Sequence, residues 1–216
     1  MKTGLLIPSF NRPEYLDQCL DSLSKVEPIP DLTVLLLDDG STNHLTHELI
    51  QNFKLNWAKV DKLFLRKNQG IKHSLRIGFN YLFSSDCDIC INLDSDAIVK
   101  PQFLRVLKDL KTRFPDSIVS GFNTLTTDPR TKKVRHPILV QHEDHCIKQS
   151  IGGINMVLNR SNYTDLVLPS LIASGHWDWN VCNKTKKFIV STPSVVQHLG
   201  IEKGINLNNP DTAFDF

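Results

Sequence analysis

The chain of 216 residues contains no long hydrophobic run. A helix that spans a membrane needs about 20 consecutive apolar residues, so the sequence predicts no membrane span. The strand-like residues Leu5, Leu6 and Ile7 follow the N-terminus almost at once, which leaves no room for the apolar region of a signal peptide. These two absences predict a cytoplasmic protein.

Excess charge and an even set of cysteines are also missing. The formal net charge is only +2 at pH 7, which argues against nucleic acid or an anionic membrane surface as a partner. The five cysteines form an odd, scattered set, as in proteins of a reducing compartment. Cys87 and Cys90 have the spacing of half a zinc site, but no second pair accompanies them. We therefore expect two buried thiols without metal.

What the chain does contain is an alternation of strand and helix patterns, which predicts an α/β fold with a mainly parallel sheet flanked by helices. Hydrophobic residues make up 40% of the chain, enough for the core of one domain. We expect that domain to cover residues 1–200 and a flexible C-terminal tail to cover 201–216. The polar segment 123–150 is expected to form an excursion over the sheet.

Apolar runs and helical spacing place the individual elements. Strands are expected at Thr3 to Pro8, Thr33 to Leu37, Lys62 to Leu65, Ile89 to Leu93, Ile118 to Phe122, Asn155 to Leu158, Phe188 to Ser191 and Val195 to Gln197. Helices are expected from Pro13, over Leu45 to Phe53, over Ser74 to Phe83, from Pro101, near Ser161 to Leu168, and over Trp177 to Lys184.

Polar clusters follow each of the first four strands. They are Pro8-Ser9-Phe10-Asn11-Arg12, Asp38-Asp39-Gly40-Ser41, Asn68-Gln69-Gly70-Ile71-Lys72 with Arg76 beyond it, and Asp94-Ser95-Asp96. The carboxyl ends of parallel strands meet at one edge of a sheet, where such folds bind nucleotides. Asp94 and Asp96 there can bind a hard divalent cation. The triplet alone is weak evidence, because Asp86-Cys87-Asp88 just upstream has the same form.

Taken in order and spacing, these clusters resemble the family-two glycosyltransferases of the GT-A type, which transfer sugars from nucleotide diphosphates. The resemblance covers residues 3 to 100 well. It implies a nucleotide-binding half over 1–100 and an acceptor and sugar half over 101–200. It also implies that a UDP-sugar, of glucose or galactose type, is the donor, and that a carbohydrate or glycoconjugate is the acceptor.

The same resemblance assigns roles to single residues. The loop from Pro8 to Arg12, with Asp39, Asn68, Lys72, Arg76, Asp94 and Ser95, would bind the nucleotide. Asp39 can accept a hydrogen bond from a pyrimidine N–H. Asp96, with Asp94 and His198, would hold Mn²⁺ or Mg²⁺, and the cation would neutralise the diphosphate leaving group.

An inverting transfer needs a base to deprotonate the acceptor hydroxyl. The family places an aspartate at the start of a late helix, and Asp178 in Trp177-Asp178-Trp179-Asn180 matches it, although both expected acidic neighbours are replaced. Trp177 and Trp179 can stack on sugar rings. Gly152 and Gly153 would admit the donor sugar.

Other interpretations of the sequence stay open. His142-Glu143-Asp144-His145 has helical metal-ligand spacing, but it lies in the irregular segment. A sugar-phosphate nucleotidylyltransferase would need a glycine-rich loop after the first strand, which is absent here. A non-catalytic nucleotide-sugar or glycan-binding domain is the remaining alternative. The chain is also short enough to be one module of a larger protein.

Overall fold

The computed structural model describes residues 1–128, 131–200 and 211–216. Its first half builds four neighbouring parallel strands in the order β3-β2-β1-β4. These strands are β1 (Thr3–Ser9), β2 (Leu32–Asp38), β3 (Lys59–Phe64) and β4 (Ile89–Leu93). Every residue of β1, β2 and β4 is buried, as expected for parallel strands covered on both faces.

In the described part of the chain, six α-helices cover the two faces of the sheet. They are α1 (Pro13–Ser24), α2 (His44–Asn52), α3 (Ile71–Ser84), α4 (Phe103–Arg113), α5 (Leu168–Ile172) and α6 (Trp177–Lys184), with a π-helix (Asn162–Val167) leading into α5. Helices α1, α2 and α4 pack in the core that contains Leu5 and Ile7. Helices α3, α5 and α6 pack in the core that contains Leu6. Because strand side chains alternate between faces, one strand supplies both cores.

The second half of the chain extends the same sheet. The strands that join it are β6 (Ile118–Ser120), β7 (Ile138–Gln141), β8 (His145–Lys148), β9 (Asn155–Asn159) and β10 (Phe188–Ser191), whereas β5 (Ala97–Val99) and β11 (Val196–His198) pair with each other in a separate two-stranded sheet. The full sheet has the order β3-β2-β1-β4-β9-β6-β10-β8-β7. All its strands except β9 and β8 run in one direction, so the prediction of a mainly parallel sheet is confirmed.

Two expectations about irregular segments need correction. Residues 123–150 do not only pass over the sheet, because β7 and β8 form a hairpin that adds two strands to its edge. The expected flexible tail includes 201–210, which lie outside the described residues, and 211–216, which are packed against the domain. Ala213 is buried and forms a β-bridge with Thr124. Polar contacts, rather than an apolar pattern, hold this last segment.

The described cysteines are all free and buried, and they include Cys87 and Cys90, for which burial was expected. In the part of the chain that the structure describes, no helix has both the length and the apolar composition needed to cross a membrane.

Candidate active site

The carboxyl ends of the first four strands surround a cavity of about 300 Å³, which we call the first cavity. The prediction that four polar strand ends share one edge is therefore confirmed by the strand pairing. Predicted nucleotide-binding residues in its lining are Pro8, Ser9, Phe10, Arg12, Asp39, Asn68, Asp94 and Ser95, and the predicted metal ligand Asp96 lies beside them. The ring of Phe10 is 43% exposed, which leaves an aromatic surface open on this wall.

The loop after β1 is tied to the loop after β2. Asn11 has a left-handed backbone with φ of 53°, a conformation that short polar side chains tolerate best. Its side-chain oxygen accepts hydrogen bonds from the backbone N–H groups of Thr42 and Asn43 at 3.0 and 3.1 Å. Its own N–H donates to the hydroxyl of Ser41 at 2.7 Å. Asn11 therefore shapes the edge of the site through the backbone.

Asp39 links the loop after β2 to the loop after β3. Its two carboxylate oxygens accept hydrogen bonds from the N–H groups of Gln69 and Gly70 at 2.9 and 2.8 Å. The adjacent Gly40 has φ of 70°, and a Cβ there would lie 2.4 Å from the carbonyl carbon of Lys67, so this close approach requires glycine. A carboxylate has about four lone-pair positions, and Asp39 keeps capacity for a further donor.

The pairing of β5 with β11 brings a late histidine next to the two aspartates. His198 lies opposite Ala97 in the register, one residue beyond Asp96. The Nε2 atom of His198 lies 3.4 Å from Oδ1 of Asp96, and Nη1 of Arg12 lies 3.0 Å from Oδ2. A Cβ on Gly200 would lie 2.3 Å from that Oδ2 atom, so the chain passes very close to the carboxylate.

Electrostatics separate the two carboxylates. Burial raises the pKa of Asp94 well above its ordinary value, and the charge of Asp96 raises it further. Burial also raises the pKa of Asp96, but the hydrogen bond and charge of His198, with the charge of Arg12, outweigh it and leave this pKa below the ordinary value. Burial lowers the pKa of His198, whereas Asp96 raises it and prevails. Two carboxylates that oppose each other's ionisation favour an additional cation.

A second cavity of about 680 Å³ adjoins the first and shares Arg12, Asp94 and Asp96 with it. The predicted residues that it adds are Gly152, Gly153, Trp177, Asp178, Trp179 and His198. The structure therefore brings the predicted base, the sugar-side residues and the carboxylate pair to one place, although they are far apart in the sequence.

Asp178 lies in the first turn of α6, where the helix dipole favours a negative charge. Its Oδ1 atom accepts a hydrogen bond from the N–H of Trp179 at 2.9 Å. Burial raises the pKa of Asp178, while the Trp179 N–H and the charge of His176 oppose that rise. A carboxylate with a raised pKa is a stronger base than an ordinary one, as a general base requires.

The loop before β9 is held against Trp177. A Cβ on Gly153 would lie 2.6 Å from Cζ2 of the Trp177 ring, so glycine is needed for this contact. The side chain of Asn92, buried in β4, donates to the Gly153 carbonyl at 2.8 Å. Asn92 was not predicted from the sequence, because a single asparagine in a buried strand belongs to no recognisable motif.

The wall around Trp179 was not predicted from the sequence. This indole is 42% exposed and stacks on His136 with a centroid distance of 5.4 Å and an interplanar angle of 24°. Nδ1 of His136 contacts the hydroxyl of Ser150 at 2.9 Å. Burial lowers the pKa of His136 to about 4, so the ring is neutral. Further lining residues not foreseen are Asp128, Arg135, His176 and Asp211. The one signal for them was the concentration of histidines in and near residues 123–150.

Three predicted nucleotide-binding residues are placed elsewhere. Asn11, Lys72 and Arg76 are not among the described residues that line either cavity. The ammonium of Lys72 donates to the carbonyls of Ala173 and Gly175, and the guanidinium of Arg76 contacts the ring of His73 at 3.3 Å.

The histidine doublet at 142–145 is not the helical metal site that its spacing suggests. It forms the turn of the β7–β8 hairpin, where His142 and His145 stack at 4.4 Å. Over the described ranges, no group of three or more His, Cys, Asp or Glu side chains is arranged to hold a metal ion by itself.

Comparison with solved structures defines the class of this fold as GT-A. The S. aureus TarS fragment 1–349 superposes with a TM-score of 0.66 at 14% identity, covering 94% of this chain and 61% of that one. TarS 1–349 in complex with UDP-GlcNAc gives 0.64 at 15%, covering 91% and 58%. GalNAc-T7 with UDP, GalNAc and Mn2+ gives 0.67 at 17%, covering 92% and 44%. The chain thus spans only about half the length of these structures.

Within that class, the chain belongs to glycosyl transferase family 2, whose family model matches residues 5–166. The expected family and fold are confirmed, and the molecule is a domain of this family.

Proposed function

We propose that this domain transfers a sugar from a UDP-sugar to a hydroxyl group on a glycan, lipid or protein, with inversion and with the help of a divalent cation. The observation that carries the proposal is the meeting of Asp96, His198 and Asp178 at one cavity of a family-2 fold. TarS was solved with UDP-GlcNAc and GalNAc-T7 with UDP and Mn2+, which supports the choice of donor and cation.

The donor set fits a cation that is shared with the substrate. Asp96 and His198 approach within 3.4 Å, and the charge of Asp94 helps to raise the pKa of His198. Carboxylate oxygen and imidazole nitrogen suit Mn²⁺, and carboxylates suit Mg²⁺. Since the described side chains do not complete a site alone, the diphosphate would supply the remaining oxygens. When bound, the cation would neutralise charge on the leaving diphosphate.

The first cavity suits the nucleotide. Phe10 offers an exposed ring for stacking, and Asp39 keeps an acceptor position for the N–H of a pyrimidine. Arg12 lines both cavities and adds positive charge where the diphosphate would pass from one to the other. In the second cavity, Trp179 provides an open indole face for the acceptor.

Asp178 can perform the proton transfer that the reaction requires. Asp178 accepts the proton of the acceptor hydroxyl as the oxygen of that hydroxyl forms a bond to the anomeric carbon. The bond between that carbon and the diphosphate oxygen breaks, and its electron pair leaves with UDP. Removing a general base of this kind typically lowers the reaction rate by about 100-fold or more.

A binding and transfer experiment tests this function. We expect UDP-sugars, screened as glucose, galactose, N-acetylglucosamine and N-acetylgalactosamine donors, to raise the melting temperature with Mn²⁺ and much less without it. A ligand at about 100 times its Kd stabilises the native state by about 2.7 kcal/mol. Asp96→Ala should abolish both the Mn²⁺-dependent increase in melting temperature and the release of UDP from the donor.

Asp88→Ala is a matched control, because Asp88 belongs to the other Asp-x-Asp triplet, at the opposite end of β4. It should behave like the wild type. Unchanged turnover in Asp96→Ala would refute the metal assignment. Tight UDP binding without hydrolysis or transfer to any acceptor would instead indicate a non-catalytic nucleotide-sugar-binding domain.

A further inference from the structure

The last six residues, 211–216, form a segment that we call the C-terminal strap. It lies along the chain that precedes His198 and along the segment after β6. The N–H of Ala213 donates to Oε1 of Gln197 at 2.8 Å, and Nε2 of Gln197 donates back to the Ala213 carbonyl at 3.2 Å. The N–H of Phe214 donates to the Asn123 carbonyl at 3.2 Å. The strap is therefore bound on both sides by backbone and amide contacts.

Two aspartates anchor the ends of the strap. Oδ1 of Asp211 accepts hydrogen bonds from the hydroxyls of Thr124 and Thr126 at 2.5 and 2.8 Å. Oδ1 of Asp215 accepts from the N–H of Ser194 at 3.1 Å and from its hydroxyl. Asn123 donates to Oδ2 of Asp215 at 3.3 Å.

A buried ammonium lies behind these anchors. Lys148 is 0% exposed, and its Nζ atom donates to Oδ1 of Asn123 at 2.9 Å. The charges of both strap aspartates act on it: burial lowers the pKa of Lys148 to about 8, and Asp211 and Asp215 oppose that decrease. A buried cation with two acidic neighbours favours the docked strap electrostatically.

The strap contacts His198 at one atom. Nδ1 of His198 lies 3.1 Å from the backbone carbonyl oxygen of Asp211. A carbonyl oxygen can only accept, so this bond requires the proton to be on Nδ1. In the neutral ring, Nε2 then carries the lone pair, and Nε2 is the atom that faces Asp96.

We propose that the C-terminal strap is the positioning element for His198, with the Asp211 carbonyl fixing the tautomer and ring orientation that present the Nε2 lone pair to the cation beside Asp96. The inference rests on the proposed function, because that function supplies the cation. Outer partners of metal-binding histidines orient the ring and raise its basicity. Here the partner comes from a segment outside the residues that the family model matches.

Asp215 is the residue with which to test the strap. It is not among the described residues that line either cavity, so it reaches His198 only indirectly, through the strap and through Ser194, which donates to it. We expect Asp215→Ala to weaken Mn²⁺ binding in the presence of UDP, measured by EPR titration, by about tenfold, the lower end of the range for outer partners. Asp215→Asn keeps an oxygen acceptor for Ser194 and should retain the wild-type affinity. If Asp215→Ala does not fold, Ser194→Ala is a milder alternative, and it should also reduce the affinity for Mn²⁺.

The ring nitrogens of His198 provide a readout that does not depend on metal or activity. With ¹⁵N NMR of the neutral ring, assigned by comparison with His198→Gln, the wild type should show the proton on Nδ1, and Asp215→Ala should show a mixture of tautomers. A folded Asp215→Ala with wild-type affinity and a protonated Nδ1 would overturn the proposal. So would an equal loss of metal-free UDP binding, which would indicate general disruption. If the wild type binds no Mn²⁺, the metal assignment fails, and the tautomer comparison still decides the role of the strap.

Discussion

Replacing Asp178 by asparagine separates the chemistry of the proposed base from the structure around it. Asparagine has the same shape and keeps an oxygen that can accept the Trp179 N–H, which lies 2.9 Å from Oδ1 in the wild type. The charge lost at the first turn of α6 is worth up to about 1 kcal/mol of helix stabilisation. Burial raises the pKa of Asp178, so a neutral side chain also removes a buried charge. We expect the melting temperature to change little.

Catalysis should respond very differently. Loss of a general base costs about 100- to 10,000-fold in rate, or about 3–5 kcal/mol of transition-state stabilisation. We expect that loss in kcat, whereas the Kd for UDP should be unchanged, because the first cavity does not include Asp178. A base works only when deprotonated, so wild-type kcat/KM should be lost as the pH falls through the raised pKa, above the ordinary value of 3.8.

The assay is UDP release with a competent acceptor across pH, with UDP binding measured by calorimetry. Asp165→Asn is the matched control, since Asp165 is an exposed aspartate in the π-helix near α5. The Asp178→Asn variant should also lose the acidic limb of the pH profile. Transfer within about threefold of the wild type, far from the loss expected of a general base, would show that another group takes the proton.

Two further substitutions examine the neighbouring walls. Gly200→Ala would place a methyl group 2.3 Å from Oδ2 of Asp96 and 2.8 Å from Nε2 of His198; we expect Mn²⁺ binding by EPR to weaken about tenfold or more, and unaltered binding would show that the loop moves freely. Trp179→Ala should raise the KM for a carbohydrate acceptor about three- to tenfold, as expected for a lost stacking partner, while the donor KM stays constant. A change confined to the donor KM would place Trp179 at the other substrate.

The parts of the fold that the sequence predicted well are those with strong local signals. β4 and the Asp94–Asp96 pair were predictable because a continuous apolar run ends abruptly in carboxylates, and strands buried on both faces have that pattern. The parallel direction of the first four strands followed from their alternation with helices. His198 and Asp178 came from resemblance, and the structure brings both to the second cavity.

The features that the sequence could not predict depend on tertiary contacts, and these leave no pattern in the sequence. β7 lies at the sheet edge and exposes Leu139 and Val140, so it lacks the alternation that marks a half-buried strand. The roles of Asn11 and Lys72 are decided by backbone groups far away in the sequence. No residue type identifies such partners in advance, because every residue offers the same backbone atoms.

The site exists only where distant segments are held in register, and the pairing of β5 with β11 is the critical case. Both strands have three residues, too few to specify a register by themselves. Because side chains alternate between faces, a shift of one residue would present Gln197 instead of His198 at the position beside Asp96. Gln197 is bound on its own side by Ala213 of the strap, and Val196 is buried in the core. These contacts on opposite faces of β11 make the shifted register costly, so the strap secures both the position of His198 along the strand and the orientation of its ring.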